Sequence, residues 1–290
     1  MYTTLISVAQ LKTLRASGQP VMVFDCSFEL MQPDAGDAQY AQSHIPGAVR
    51  ANLDQHLSAH GAPDAASGGR HPLPSQEKFA EWLGSVGLTP AMQAVVYDRQ
   101  GVNYAGRLWW MLKWVGHEAV AVLDGGFQAW QASGAEVQSG TQDAATHAKT
   151  YMTNYPLVQA NASLVATENV VKDLGKSTQT ILDARATPRF KGEVEPLDPV
   201  AGHIPGALNR PFALNLDSSG FFKSPEVLRA EFTTLLAGHD PASVVHHCGS
   251  GVSAVPNLIA MEVAGLGRAA LYAGSWSEWC SDPARPVAQG

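Results

Sequence analysis

The chain has 290 residues, of which 45% are hydrophobic and 8% aromatic, and its formal net charge is -7. That apolar content excludes a disordered chain, and the length favours one large or two ordinary domains. A general nucleic-acid-binding protein would carry the opposite charge balance, and no run reaches the roughly 18–20 apolar residues of a membrane span. Residues 1–6 also lack the basic and apolar segments of a signal peptide. We therefore expect neither a nucleic acid nor a membrane as a partner.

In chain order, helical patterns alternate with short apolar runs typical of buried strands. Ser7 and Gln10 form a capping-box pattern that opens a predicted helix ending near Ala16. In the second half, Thr167 is the predicted N-cap of a helix that continues through Leu174. Further predicted strands are residues 21–25, 94–97, 120–123, 180–182, 243–246 and 269–272, and further predicted helices are 104–115 and 254–264. This alternation predicts an α/β fold with a largely parallel sheet.

The two halves of the chain repeat each other. The sequence His-Ile-Pro-Gly-Ala occurs at residues 44–48 and again at 203–207, and the Gly-rich run at 125–130 resembles the run at 274–279. Because the repeats keep their order, we infer a duplication that produced two similar domains, each a mainly parallel sheet flanked by helices. The predicted boundaries are 1–136 for the first domain, 137–158 for a polar linker and 159–290 for the second domain.

The three cysteines are too few for a disulfide framework, which favours a reducing compartment such as the cytoplasm. Cys248 begins a Gly-rich loop between a predicted strand and a predicted helix. Such a loop can turn its backbone N–H groups inward and stabilise an anion, so Cys248 is expected to be a thiolate near neutral pH. The first domain has Asp98 at the matching position, which predicts one catalytic and one structural domain. Cys26 and Cys280 fit a structural interpretation.

At these residues the chain resembles the two-domain rhodanese-type sulfurtransferases. The resemblance covers nearly the whole chain, and the Cys-Gly-Ser-Gly-Val loop from Cys248 is similar to that of the 3-mercaptopyruvate sulfurtransferases. It implies that Cys248 attacks the donor sulfur, releases pyruvate and holds a persulfide. A thiol such as thioredoxin, or cyanide, would then accept the outer sulfur. The resemblance implies no cofactor, and no Cys or His spacing indicates a metal site.

The resemblance also implies roles for further residues. Ser250, His71 and Asp54 match a relay that protonates the leaving enolate, although the loop between Asp54 and His71 is longer than the family pattern. Arg189 matches a substrate-binding arginine, since its planar fork suits a carboxylate. The second arginine that often follows is missing, and Arg70 is a candidate to replace it. The remaining predicted binding residues lie in the cysteine loop: Gly249, Gly251, Val252 and Ser253.

Two alternatives stay open at this point. One is a thiosulfate sulfurtransferase, whose loop usually carries basic residues after the cysteine. The other is a persulfide-carrying or regulatory binding module. A phosphatase loop would need an arginine at position 254, where this chain has Ala254.

Overall fold

The computed structural model describes residues 1–141 and 154–290, and the chain divides into two compact units. The first comprises Met1–Ala59, Pro74–Asn161 and Ser218–Phe221, and the second comprises His60–Leu73, Ala162–Asp217 and Phe222–Gly290. The sequence repeats did not predict that residues 60–73 belong to the second unit or that residues 218–221 belong to the first. The central part of the predicted linker, residues 142–153, lies outside the described residues.

The first unit is built on a parallel five-stranded sheet of order β1-β5-β4-β2-β3. The strands are β1 Leu5–Ile6, β2 Val21–Asp25, β3 Val49–Arg50, β4 Gln93–Tyr97 and β5 Val120–Leu123. The helices are α1 Val8–Ala16, α2 Ala35–Gln42, α3 Gln76–Ser85, α4 Ala105–Trp114 and α5 Gly126–Ala132. All five residues of β4 are buried, as a central strand covered on both faces requires.

The second unit repeats this arrangement with the strand order β6-β10-β9-β7-β8, again all parallel. Its strands are β6 Ser163–Leu164, β7 Thr180–Asp183, β8 Leu208–Asn209, β9 Val244–His247 and β10 Ala270–Leu271. Its helices are α6 Thr167–Lys172, α7 Thr187–Lys191, α8 Pro225–Leu236, α9 Val255–Val263 and α10 Ser275–Trp279, with 3-10 turns at Phe212–Asn215 and Pro241–Ser243. The predicted fold class, two tandem parallel α/β domains, is confirmed.

Local sequence signals explain where several elements begin. The Ser7 hydroxyl accepts a hydrogen bond from the Gln10 backbone N–H, and the Gln10 side-chain oxygen accepts one from the Ser7 backbone N–H, so the predicted capping box is present. Thr167, by contrast, is the first residue of α6 and not its cap. Its hydroxyl donates to the Tyr272 hydroxyl at 3.0 Å, a tertiary contact that the local sequence could not indicate. Among the described residues, no helix is long and apolar enough to cross a membrane.

Candidate active site

Cys248 follows the last residue of β9 and begins the loop that leads into α9. It therefore lies at the carboxyl end of a central parallel strand, where open α/β sheets place their ligands. The residue is only 1% exposed.

The loop is fixed from α10 by three hydrogen bonds. The backbone N–H of Trp276 donates to the carbonyl of Cys248 at 3.0 Å, and that of Ser277 donates to the carbonyl of Gly249 at 2.9 Å. The Cys248 N–H itself donates to the Ser275 hydroxyl at 3.1 Å. Ser275 has φ 56, a left-handed conformation that costs a non-glycine residue free energy. The strained serine thus holds the backbone of Cys248.

The predicted loop residues lie around Cys248. Gly251 has φ 73, and a Cβ atom there would come within 2.2 Å of the Ala273 carbonyl, so only glycine fits. Val252 is buried and Ser253 is partly exposed. A Cβ atom on Gly249 would lie 3.0 Å from Arg70 and 3.6 Å from Arg189, which places both guanidinium groups beside the loop.

Ser250 and His71 are in direct contact within the second unit. The Nδ1 atom of His71 lies 2.7 Å from the Ser250 hydroxyl, and the two residues are 5% and 7% exposed. A proton can pass between atoms at this separation. Asp54 belongs to the first unit, where its backbone N–H donates to the Asn52 side chain at 2.9 Å. Two members of the predicted relay are thus brought together within one unit.

Arg189 and Arg70 are both held by carboxylates. Arg189 donates to both oxygens of Glu195, at 2.6 and 3.2 Å, and to Asp198 at 3.2 Å. Arg70 donates to the other oxygen of Asp198 at 2.5 Å. Arg70 therefore stands next to Arg189, although it comes from a distant part of the sequence. Arg70 is therefore a candidate to replace the second arginine that the family pattern leads us to expect.

The two carboxylates differ in their electrostatic setting. Burial raises the pKa of Glu195, but bonds from Arg189 and from two backbone N–H groups lower it below its ordinary value. Burial raises the pKa of Asp198 above its ordinary value, and repulsion from Glu195 adds to the rise while Arg70 opposes it. The surroundings therefore favour the ionised form of Glu195 and disfavour that of Asp198.

A second buried ion pair lies near the base of the loop. Arg185 donates to Asp183 at 2.7 Å, and both side chains are almost fully buried. Burial raises the pKa of Asp183, but His247 and the Arg185 guanidinium group together lower it below its ordinary value. Burial lowers the pKa of the neighbouring His247, and the Asp183 carboxylate opposes that shift. Asp183 ends β7 and pairs in register with His247, so this ion pair lies beside the end of β9, the strand that precedes Cys248.

In the first unit, the loop that corresponds to the Cys248 loop surrounds the carboxylate of Asp98. The carboxylate of Asp98 accepts four backbone hydrogen bonds of 2.8–3.0 Å. The donors are the N–H groups of Gln100, Val102, Tyr104 and Ala105. Burial raises the pKa of Asp98, and these bonds oppose the rise. In this unit the loop turns its backbone amides inward, the arrangement that the glycine pattern predicts for the Cys248 loop.

The other two cysteines, Cys26 and Cys280, are also buried. Burial raises the pKa of each thiol. Within residues 1–141 and 154–290, no group of three or more His, Cys, Asp or Glu side chains is placed to hold a metal ion.

Sequence reasoning missed four residues that shape this site: Glu195, Asp198, Ser275 and Ser277. In the sequence, the segment that contains Glu195 and Asp198 was noted only for its lack of an arginine. Ser277 accepts the Arg70 N–H at 2.9 Å and so fixes the segment that carries Arg70 and His71. Ser275 could have been found by comparing the repeats, because Gly126 stands at the matching place in the first unit.

The chain is similar to known proteins over nearly its whole length. The model of the rhodanese-like domain matches residues 7–133 and 167–282. A protein of Pseudomonas aeruginosa named "Probable 3-mercaptopyruvate sulfurtransferase" is 43% identical, with 100% of both chains covered. The thiosulfate sulfurtransferase of Bos taurus is 33% identical, covering 100% of this chain and 97% of its own. The structure of 3-mercaptopyruvate sulfurtransferase from Leishmania major matches with a TM-score of 0.80 and 32% identity, covering 96% of this chain and 74% of the other.

Proposed function

Because the chain belongs to the rhodanese family of sulfurtransferases, we propose that it moves sulfur from 3-mercaptopyruvate, through a persulfide on Cys248, to a thiol acceptor. The observation that carries this choice of donor is the 2.7 Å contact between His71 and Ser250 beside the cysteine loop. A carbon leaving group needs a proton, whereas the sulfite released from thiosulfate needs none. His71 and Ser250 supply a proton donor, which the reaction of 3-mercaptopyruvate requires and that of thiosulfate does not.

The first half-reaction follows from these positions. The Cys248 thiolate attacks the donor sulfur, and an S–S bond forms as the C–S bond breaks. The electron pair of that bond goes to the leaving carbon, which is the enolate of pyruvate. The Ser250 hydroxyl protonates this carbon, and His71 returns a proton to Ser250. Asp54 is the proposed third member of the relay, and Asp54→Asn tests that assignment.

Arg189 and Arg70 bind the donor carboxylate in this proposal. Both guanidinium groups lie beside Gly249, one residue after the nucleophile, and guanidinium groups bind carboxylates through paired hydrogen bonds. The lack of a side chain on Gly249 leaves them room. The donor would be held by its carboxylate while its sulfur faces Cys248.

The Asp98 loop supports stabilisation of the persulfide. An oxygen of an aspartate is three bonds from its Cα atom, and the outer sulfur of a cysteine persulfide is also three bonds from its Cα atom. The four amides that hold the Asp98 carboxylate thus mark where an anion of this reach is stabilised in a loop of this type. We infer that the Cys248 loop holds the anionic persulfide in the same way.

In the second half-reaction an acceptor thiolate attacks the outer sulfur and restores the Cys248 thiolate. A small dithiol protein such as thioredoxin is the proposed physiological acceptor, and cyanide would serve in the test tube. The three cysteines form no disulfide, which suits the reducing cytoplasm proposed as its compartment.

A side-by-side assay tests the proposal. We expect kcat/KM with 3-mercaptopyruvate to exceed that with thiosulfate, and intact mass to show one added sulfur after incubation with donor alone. Cys248→Ser should gain no sulfur, while Cys26→Ser and Cys280→Ser, the matched controls, should gain it. A higher kcat/KM with thiosulfate would assign the chain to the thiosulfate enzymes instead. Absence of any persulfide with either donor would favour a binding module.

A further inference from the structure

The carboxylate of Asp198 lies between the two proposed donor-binding arginines. One of its oxygens accepts from Arg70 at 2.5 Å and the other from Arg189 at 3.2 Å, and the side chain is only 4% exposed. It occupies the kind of position between two guanidinium groups that an incoming anion would take. We propose that Asp198 sets the choice of sulfur donor by cancelling part of the positive charge beside the Cys248 loop. This inference rests on the proposed function, because it concerns the donor of that same site.

Asp198 is not needed to orient Arg189. Glu195 already accepts two hydrogen bonds from that guanidinium group, at 2.6 and 3.2 Å, and is itself fixed by the backbone N–H groups of Leu197 and Asp198. The contact between Asp198 and Arg189 therefore adds mainly charge. Its effect is to make the pair of arginines less positive than two arginines alone.

The ion pairs around the loop balance overall. Three guanidinium groups face three carboxylates in one connected set: Arg70, Arg185 and Arg189 with Asp183, Glu195 and Asp198. A donor therefore meets directional hydrogen-bond donors with little net positive charge from this set. Such a setting suits a singly charged donor held by its carboxylate.

The reaction with thiosulfate depends more strongly on the charge beside the loop than the reaction with 3-mercaptopyruvate does. It is a dianion, its leaving group sulfite is also charged, and that charge lies directly on the reacting sulfur group. 3-Mercaptopyruvate carries one charge, several bonds from its sulfur. A change of one unit in the charge beside the loop therefore acts about twice as strongly on thiosulfate. Removing the Asp198 charge should raise the relative efficiency of thiosulfate.

Asp198→Asn is the decisive variant, since asparagine keeps the size of the side chain and an oxygen that can accept from Arg70. We expect the ratio of kcat/KM for thiosulfate to kcat/KM for 3-mercaptopyruvate to rise roughly tenfold. Added NaCl should reduce that gain, because the new attraction is screened. Asp198→Glu keeps the charge, and Glu193→Gln removes a charge from an exposed position in the same loop. Both controls should keep the wild-type ratio.

The outcomes separate the inference from the function on which it rests. A wild-type protein that forms no persulfide from 3-mercaptopyruvate contradicts the proposed function. A working wild type whose ratio is unchanged or lower in Asp198→Asn refutes the inference alone, as does an equal loss with both donors. Asp198→Ser provides a second neutral side chain if the asparagine variant does not fold, and the same ratio decides.

Discussion

Arg189 and Arg70 are the residues that we propose bind the donor carboxylate. Arg189→Ala removes a charge-assisted contact, which costs roughly 1.5–3 kcal/mol, so KM for 3-mercaptopyruvate should rise about 10- to 150-fold. Arg189→Lys keeps the charge but loses the planar fork, and we expect a smaller rise. Steady-state kinetics with cyanide as acceptor measures both variants. The KM for cyanide serves as the internal control and should change less.

An unchanged kcat/KM for 3-mercaptopyruvate in Arg189→Ala would show that this arginine is only a partner for Glu195. Arg70→Ala separates the second position. If Arg70 replaces the missing arginine, its loss should raise the same KM, and a normal KM would leave Arg189 to bind the carboxylate by itself.

Ser275 combines backbone strain with a contact to Cys248, the proposed nucleophile. Ser275→Gly relieves the cost of φ 56, roughly 1 kcal/mol, but it also removes the hydroxyl that accepts the Cys248 N–H. Thermal stability should therefore change little, while persulfide formation slows about tenfold because the nucleophile is less well positioned. Ser275→Ala loses the hydroxyl and keeps the strain, so it should also be less stable.

Melting temperature and the single-turnover rate of persulfide formation distinguish the two variants. Full activity in Ser275→Ala would show that the hydroxyl has no part in placing Cys248. The first unit already shows that the fold itself does not need it, because Gly126 adopts φ 57 at the equivalent position without a side chain.

At the scale of elements, the loop between β4 and α4 depends on the Asp98 carboxylate. Asp98→Asn replaces one acceptor oxygen with an NH2 group that faces backbone donors, in a residue that is 2% exposed. We expect a loss of roughly 2–4 kcal/mol in the free energy of unfolding, from weakened bonds to a charged acceptor and from unpaired amides. Urea unfolding measures it. Asp34→Asn, an exposed aspartate at the start of α2, is the control and should unfold as wild type does.

The same elements show how far the sequence alone could predict the structure. Strands β2 and β5 have their predicted bounds, because each is an apolar run between clear turn signals. The short edge strands β3 and β8 were missed, since two residues carry no periodic pattern. The helix α8 was also missed, although Ser224 caps it and Pro225 begins it.

For the site, sequence was sufficient wherever the chemistry lies within one loop. The position of Cys248 after a strand and before a helix followed from local patterns. The contact of Asp198 with Arg70 did not, because it joins residues far apart in the chain, and no local pattern records such a pairing. The contact of His71 with Ser250 was expected only from the family resemblance, for the same reason.

At the scale of the whole molecule, buried histidines make stability depend on pH. Burial lowers the pKa of His117 and of His56 to about 4, and that of His246 to about 3. These rings are neutral in the folded chain, whereas in the unfolded chain they take up protons below their ordinary pKa of about 6.5. Between the two pKa values the unfolded state binds more protons, so stability falls as the pH is lowered through that window.

His117 offers the clearest test, because it is 2% exposed and its Nδ1 atom lies 2.7 Å from the Tyr155 hydroxyl. Its share of the loss between about pH 6.5 and pH 4 should be roughly 1–3 kcal/mol. Whatever the absolute stability of His117→Gln, its free energy of unfolding should decline less steeply over this range than that of wild type. His239→Gln, at an exposed position, is the control and should keep the wild-type slope. Urea unfolding at a series of pH values measures all three proteins, and an unchanged slope in His117→Gln would mean that this ring is already protonated in the fold.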